Sequence, residues 1–253
     1  AALGALRSGA GLVTLALPAA GAAAAAAWTP EAMARLLPTE GGALSGAALA
    51  EWGGDFSRFD GVVAGPGLGT SAAARGVVTH LLDTVPGRLV LDADALTVLA
   101  ELQAEGAWLP REGQERLLTP HPGEAARLLG TPAAEVQTDR LGAVRRLAER
   151  YRATVVLKGA GTLVYAPGGV PRLNRTGNPG MACGGMGDVL AGMTGALWVQ
   201  GLAADTAAAT AVWAHGTAGD EAALAEGRTA LGATALARHL GAAYRLLEAL
   251  GSG

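Results

Sequence analysis

Short apolar runs closed by Gly, Pro or Asp recur along the chain, separated by stretches of helical length. Residues 12–17, 61–64, 88–91, 117–119 and 154–157 read as strands. They are apolar almost throughout, as a sheet covered on both faces requires. Between them, residues 19–27, 45–52, 71–84, 123–129 and 134–151 carry helical patterns, and another helix begins near Ala95. Such β–α alternation predicts a mostly parallel sheet with right-handed crossovers. The pattern changes after Lys158: residues 162–166 and 170–174 flank Pro167-Gly168-Gly169, a hairpin signal that adds antiparallel strands. From Asp188 onward the sequence reads as helix, over 188–200, 205–226 and 233–250. No Pro-, Ser- or charge-rich linker and no fixed-period repeat interrupts it, so a single three-layer α/β/α domain over residues 1–253 is expected.

Composition narrows the class. Half of the 253 residues are hydrophobic but only 4% are aromatic, so the core is built from Ala, Leu and Val. A net charge of −3 leaves no electrostatic footprint for nucleic acid or an anionic membrane, and no apolar run is long enough to span a bilayer. The one cysteine, Cys183, excludes an internal disulfide and suits a reducing cytoplasm, the expected location. The chain opens without Met on a helical pattern that has no N-cap, and no basic-then-apolar leader is present; it reads as beginning within a helix. Alanine-rich helices such as 205–226 are candidates for subunit contacts, making a homo-oligomer the expectation.

In sheets of this kind ligands sit beyond the carboxyl ends of the strands. Polar and glycine-rich segments gather there: GPGLG at 65–69, DAD at 92–94, TPHPGE at 119–124 and KGAGT at 158–162. The first is either a tight turn needing positive φ or a backbone lip over a ligand. Asp92 and Asp94 would face one side of an extended strand, as for Mg²⁺ or a polar ligand, or would cap the following helix. His121 is fixed between two prolines and reads as a ligand contact, whereas His80, His215 and His239 lie in helical stretches as surface or core residues. No HExxH and no Cys/His spacing suggests zinc. Of 19 Lys and Arg only Lys158 is lysine, and its compact ammonium after a buried strand suits a phosphate.

The run TGNPGMACGGMGD at 176–188 holds five glycines and precedes a long apolar helix. Glycines let backbone amides turn toward an anion, and the helix N-terminus adds to the attraction. Asp188 is either an ordinary N-cap or a base that removes a proton from a substrate hydroxyl beside a transferred phosphoryl group. The run is neither GxxxxGK[ST] nor GxGxxG.

Together, LRSGAGLVTLA, VVAGPGLG, LDADAL, LTPHPGEAARLLG, VVLKGAGTLV and NRTGNPGMACGGMGDVLAGM resemble, in order and spacing from Leu6 to His215, the NAD(P)H-hydrate dehydratases of the ribokinase-like superfamily. The resemblance implies a three-layer ribokinase-like sandwich with a mostly parallel sheet and a few antiparallel strands. It implies repair of hydrated NADH and NADPH (NADHX and NADPHX). A nucleotide, ADP in most bacterial members and ATP in eukaryotic ones, phosphorylates the ring hydroxyl of the S epimer, and phosphate then leaves. By this likeness Gly67, His121 and Asp188 contact the hydrated substrate. Lys158, Gly159, Ala160, Gly161, Thr162 and Gly187 hold the donor, and the amides of Gly184, Gly185, Met186 and Gly187 form the anion hole. Mg²⁺ is expected from the chemistry, with no protein ligand set visible. A fused or separate epimerase is a further implied partner, and the family's first strand and turn would precede Ala1. Cys183 and Met186 replace the small hydroxyl residues usual in the family, which keeps the amides but removes a hydroxyl contact at Met186. A small-alcohol (vitamin-precursor) kinase on the same fold and a non-catalytic nucleotide sensor are the alternatives.

Overall fold

The apolar runs in the middle of the chain deal their side chains alternately into two separate cores. The computed structural model describes residues 1–40, 43–44, 56–111 and 113–251. Its regular elements begin with α1 (Ala2–Leu6), β1 (Thr14–Pro18), α2 (Ala22–Trp28), β2 (Met33–Leu37), β3 (Thr39–Glu40), β4 (Ala43–Leu44), β5 (Gly61–Ala64), α3 (Ala72–Thr84), β6 (Arg88–Leu91) and α4 (Asp94–Ala104). They continue with β7 (Arg116–Leu118), α5 (Pro122–Leu129), α6 (Ala133–Thr138), α7 (Arg140–Tyr151), β8 (Thr154–Leu157), β9 (Leu163–Tyr165), β10 (Arg172–Leu173), α8 (Met186–Val199), α9 (Ala204–Glu226) and α10 (Ala233–Gly251). Leu89, Leu91, Leu118, Val155, Leu157, Leu163 and Tyr165 point to the core shared with α3, α4, α5 and α7. Val90, Leu117, Val156 and Val164 point to the core shared with α8, α9 and α10. With a period of two and apolar residues at both phases, each strand is covered on both faces, and three layers result.

The main sheet has the order β10-β9-β8-β7-β6-β5. β5 to β8 run parallel, while β9 and β10 are antiparallel additions from the hairpin. Strand 117–119 is observed as Arg116–Leu118, one residue earlier. Arg116 is buried, with its guanidinium donating to the carbonyls of Leu82, Val85, Gly87 and Glu115. That burial holds its pKa down to about 10, still well above neutrality.

Three expectations change. The first apolar run, β1, pairs only with β2 in a separate two-stranded parallel sheet, and β2 carries no alternation that would reveal it. The expected helix 134–151 is two helices, because Asp139 leaves helical geometry (φ −129, ψ 70) and accepts the Gly142 amide at 2.8 Å to start α7. Helix 45–52 lies outside the described residues. The alanine-rich face of α9, expected at a subunit contact, is buried within the chain, with Ala207, Ala208, Ala211, Ala214 and Ala218 in the second core.

α1 lies directly against α8. A Cβ on Gly4 would overlap the Val189 carbonyl, and one on Gly192 the Ala1 carbonyl, so both glycines permit backbone contact. A cavity of about 590 Å³ is lined by residues of α1, β1, β5 and α8, and among the described residues β1 and β5 each pair with a strand on one side. No helix among the described residues is long and apolar enough to cross a membrane.

Candidate active site

The strand registers put the sequence motifs side by side. Ala64 lies opposite Leu91, Leu91 opposite Leu118, and Leu118 opposite Val155. The ladder continues past the strands, with Asp92 N donating to Ala64 O (3.0 Å), Thr119 N to Leu91 O (3.1 Å) and Lys158 N to Pro120 O (2.9 Å). GPGLG, DAD, TPHPGE and KGAGT therefore share one edge, as expected for a parallel sheet.

The glycine-rich run crosses this edge and enters α8. Gly185 is the N-cap, in the left-handed region at φ 84, and no side chain caps the helix. Asp188 is therefore not an N-cap. It sits half-buried in the first turn, and no described residue donates a hydrogen bond to its carboxylate. Gly184 is exposed, with open space where a Cβ would stand. The amide end of α8 is thus open for an anion. Its other side is held by His215 Nε2, which donates to Met186 O at 3.0 Å. Desolvation, aided by the Lys158 charge, pulls His215 down to about 4, so the ring is neutral and belongs to the core, as its helical position suggested.

The upstream half of the run is pinned by α9. Gly177 N donates to Asp220 Oδ2 (2.8 Å), and Asn178 Nδ2 donates to Asp220 Oδ1 and Gly219 O (both 2.9 Å). The Thr176 hydroxyl lies between Asn174 Oδ1 (3.0 Å) and Trp213 O (3.1 Å). Asp220 was missed from sequence. Its signal was the pair Gly216 and Gly219 just before it, since glycines inside a helix mark a close approach, here to Thr176 and Met181.

Lys158 is not a free cation at the surface. Its Nζ lies 2.6 Å from Asp92 Oδ1 and 3.8 Å from Glu124 Oε2, and Asp92 is 1% exposed. A Cβ on Gly187 would stand 3.2 Å from that Nζ, which puts the ammonium directly beneath the first turn of α8. A compact ammonium suits this close approach better than the larger fork of an arginine would.

Asp92 and Asp94 do not face one side. Ala93, at φ 49 and ψ −122, breaks the extended chain between them. Asp94 Oδ2 accepts the Gly69 amide at 2.8 Å and fixes the GPGLG loop, leaving α4 without a side-chain cap. Neither the metal pair nor the cap anticipated for these residues forms, and no group of three His, Cys, Asp or Glu among the described residues could hold a metal ion. Gly67, at φ 70, stands exposed at the tip of the loop that Asp94 holds.

His121 has a structural task that the prolines concealed. It is the N-cap of α5, where Nδ1 accepts from Gly123 N (3.0 Å) and Glu124 N (3.3 Å). Glu124 reciprocates by accepting His121 N at 2.7 Å, which completes a capping box, and its other oxygen lies 3.3 Å from Nε2. Half of the ring stays exposed at the same edge as Gly67. Arg140, also missed, reaches from α7 into the KGAGT loop, where Nη2 lies within hydrogen-bond range of the carbonyls of Leu157, Lys158 and Gly161.

The chain is similar to known proteins. The bifunctional NAD(P)H-hydrate repair enzyme Nnr of Moorella thermoacetica is 44% identical over 249 residues, 98% of this chain and 46% of that one. The ADP-dependent (S)-NAD(P)H-hydrate dehydratase of Neisseria meningitidis is 48% identical over 159 residues, 62% of this chain and 53% of that one. The chain thus spans about half the length of these curated relatives. The crystal structure of the ADP/ATP-dependent NAD(P)H-hydrate dehydratase of Bacillus subtilis, co-crystallized with ATP/Mg²⁺ and soaked with CoA, is similar with a TM-score of 0.80 at 28% identity, covering 96% of this chain and 84% of that one. The architecture is the ribokinase-like sandwich. The profile of a family described as NAD(P)H-hydrate dehydratase matches residues 1–241, and the chain belongs to that family.

Proposed function

We propose that the protein restores NADH and NADPH from the S epimers of their hydrates, with ADP as the first candidate donor and ATP as the second. The observation that carries this reading is Asp188, a half-buried carboxylate that accepts no hydrogen bond from a described residue, in the first turn of a helix whose amide end is open. Asp188 takes the proton of the ring hydroxyl as its oxygen attacks the terminal phosphorus of the nucleotide, and AMP leaves when the donor is ADP. The amides of Gly184 to Gly187 receive the charge on the transferring phosphoryl group. Phosphate then departs with the C–O bonding electrons while a proton is lost from the adjacent ring carbon, which restores the double bond. Residues 158–162 and Gly187 hold the donor, and Gly67, His121 and Asp188 face the hydrated ring.

Asp92, Asp94 and Glu124 are already engaged by Lys158, Gly69 and His121. Mg²⁺ would then arrive with the nucleotide and offset the charge of its phosphates, and among the described carboxylates at this edge Asp188 is one that no hydrogen-bond donor holds. The use of a single epimer calls for an epimerase, fused or separate, and the bifunctional repair enzyme of Moorella supports that reading. The described elements read as one cytoplasmic dehydratase domain, and the unpaired edges of β1 and β5 leave room for one further strand.

The test follows the return of reduced-nicotinamide absorbance after hydrated NADH is mixed with ADP or ATP. Asp188→Asn is expected to keep nucleotide binding and to lower turnover at least ~10²-fold. Stable phosphorylation of an alcohol without absorbance recovery would point to a kinase, and nucleotide binding without turnover to a sensor.

A further inference from the structure

The KGAGT loop at the end of β8 has an asymmetric hydrogen-bond pattern. Its carbonyls are taken up by the protein. Arg140 Nη2 lies 3.1 Å from Leu157 O and 3.3 Å from both Lys158 O and Gly161 O, while Nη1 donates to Gln137 Oε1 at 2.9 Å. The Thr162 hydroxyl donates to Gly159 O at 2.9 Å. By contrast, the amides of Gly159, Ala160 and Gly161 donate to no described residue. Gly159 (φ 132) and Gly161 (φ 66) adopt conformations that side-chain-bearing residues rarely reach. A short run of unpaired amides whose carbonyls are held elsewhere is a ready concavity for a phosphate oxygen. The Lys158 ammonium, engaged with Asp92, does not by itself supply the anion contact, so the loop amides matter more.

We infer that Arg140 is the positioning residue of this loop: by gathering the carbonyls of residues 157, 158 and 161 on one side, it keeps the amides of 159–161 arrayed for the phosphates of the donor nucleotide. The inference rests on reading residues 158–162 as the donor site. Arg140 does not touch the nucleotide itself. Nη2 meets all three carbonyls while Nη1 holds Gln137 Oε1, a two-armed arrangement that the single head of a lysine does not reproduce. Partial burial lowers the Arg140 pKa by desolvation.

Equilibrium titration with ADP and steady-state kinetics on the full protein decide the matter. Arg140→Ala and Arg140→Lys are expected to raise the Kd and KM for ADP by about 10-fold or more, with the KM for the hydrated dinucleotide unchanged and kcat at saturating ADP within about threefold. Arg146→Ala serves as the control. Arg146 lies on the same helix and pairs only at the surface, with Glu135 (3.3 Å) and Asp139 (3.8 Å), so ADP affinity stays at the wild-type value. Should Arg140→Ala not fold, Arg140→Lys carries the comparison, since it keeps charge and stem and loses only the fork. A folded Arg140 variant with wild-type ADP affinity overturns the inference, as does an equal loss toward both substrates, which marks a merely structural tie between α7 and the sheet. Wild-type protein that neither binds nor consumes ADP or ATP removes the donor-site reading and this inference with it. Normal wild-type turnover with an indifferent Arg140 removes the inference alone.

Discussion

His215 shows how a residue remote from the substrate can govern the site. It has a single tautomer to offer, with Nε2–H on the Met186 carbonyl in the first turn of α8, and burial holds its pKa at about 4 against 6.5 in an unfolded chain. Between those values the unfolded state binds a proton that the folded state refuses, so stability falls as pH drops from ~6.5 toward ~4. The full difference is on the order of 3 kcal/mol. Urea unfolding at pH 7 and pH 4.5 checks it: His215→Gln, which keeps a donor but cannot charge, is expected to lose ~2 kcal/mol less on acidification than wild type. Lys158 and Asp92 illustrate the reverse case. The lysine was legible from composition, but its partner lies 66 residues away and nothing local to either residue announces the pair.

Among elements, the contact of α1 with α8 places the opening helix against the helix that carries Asp188. In an exposed helix Gly4→Ala would stabilise by up to ~1 kcal/mol through propensity. Here the new methyl would overlap the Val189 carbonyl, which is backbone and cannot swing aside. Gly4→Ala is therefore expected to destabilise by ~1–3 kcal/mol, a change of sign that thermal or urea unfolding reads directly. The same logic separates elements the sequence revealed from those it did not. Strands 61–64, 88–91 and 154–157 are found as expected because both of their faces are apolar. β2 escaped because four of its five residues are exposed, leaving no buried face to impose a pattern. The break at Asp139 escaped because helical spacing continues across it on both sides.

Over the whole molecule, the sheet is best protected where both neighbours are present. β6, β7 and β8 each lie between two strands, whereas among the described residues β1 and β5 each pair on one side, and both line the 590 Å³ cavity. Hydrogen exchange is expected to follow this division. Amides of β6 to β8 should exchange only through global unfolding, while the cavity-facing amides of β1 and β5 should lack protection. Uniform protection across β5 and its cavity-facing edge would show that edge to be covered.

The sequence by itself determined the β–α alternation, the edge at which the motifs gather, and the glycine-rich entry to α8. Each of these depends on neighbours within a few residues: apolar periodicity, turn chemistry and the carboxyl ends of parallel strands. Only the tertiary structure decided the local geometry of each motif. Asp188 does not cap α8 because Gly185, at positive φ, occupies the cap position. Asp92 and Asp94 part because Ala93 turns the chain between them, and Lys158 is neutralised because β6 and β8 are brought to either side of β7. These outcomes depend on the packing of crossovers tens of residues long, and no local pattern encodes where such crossovers return.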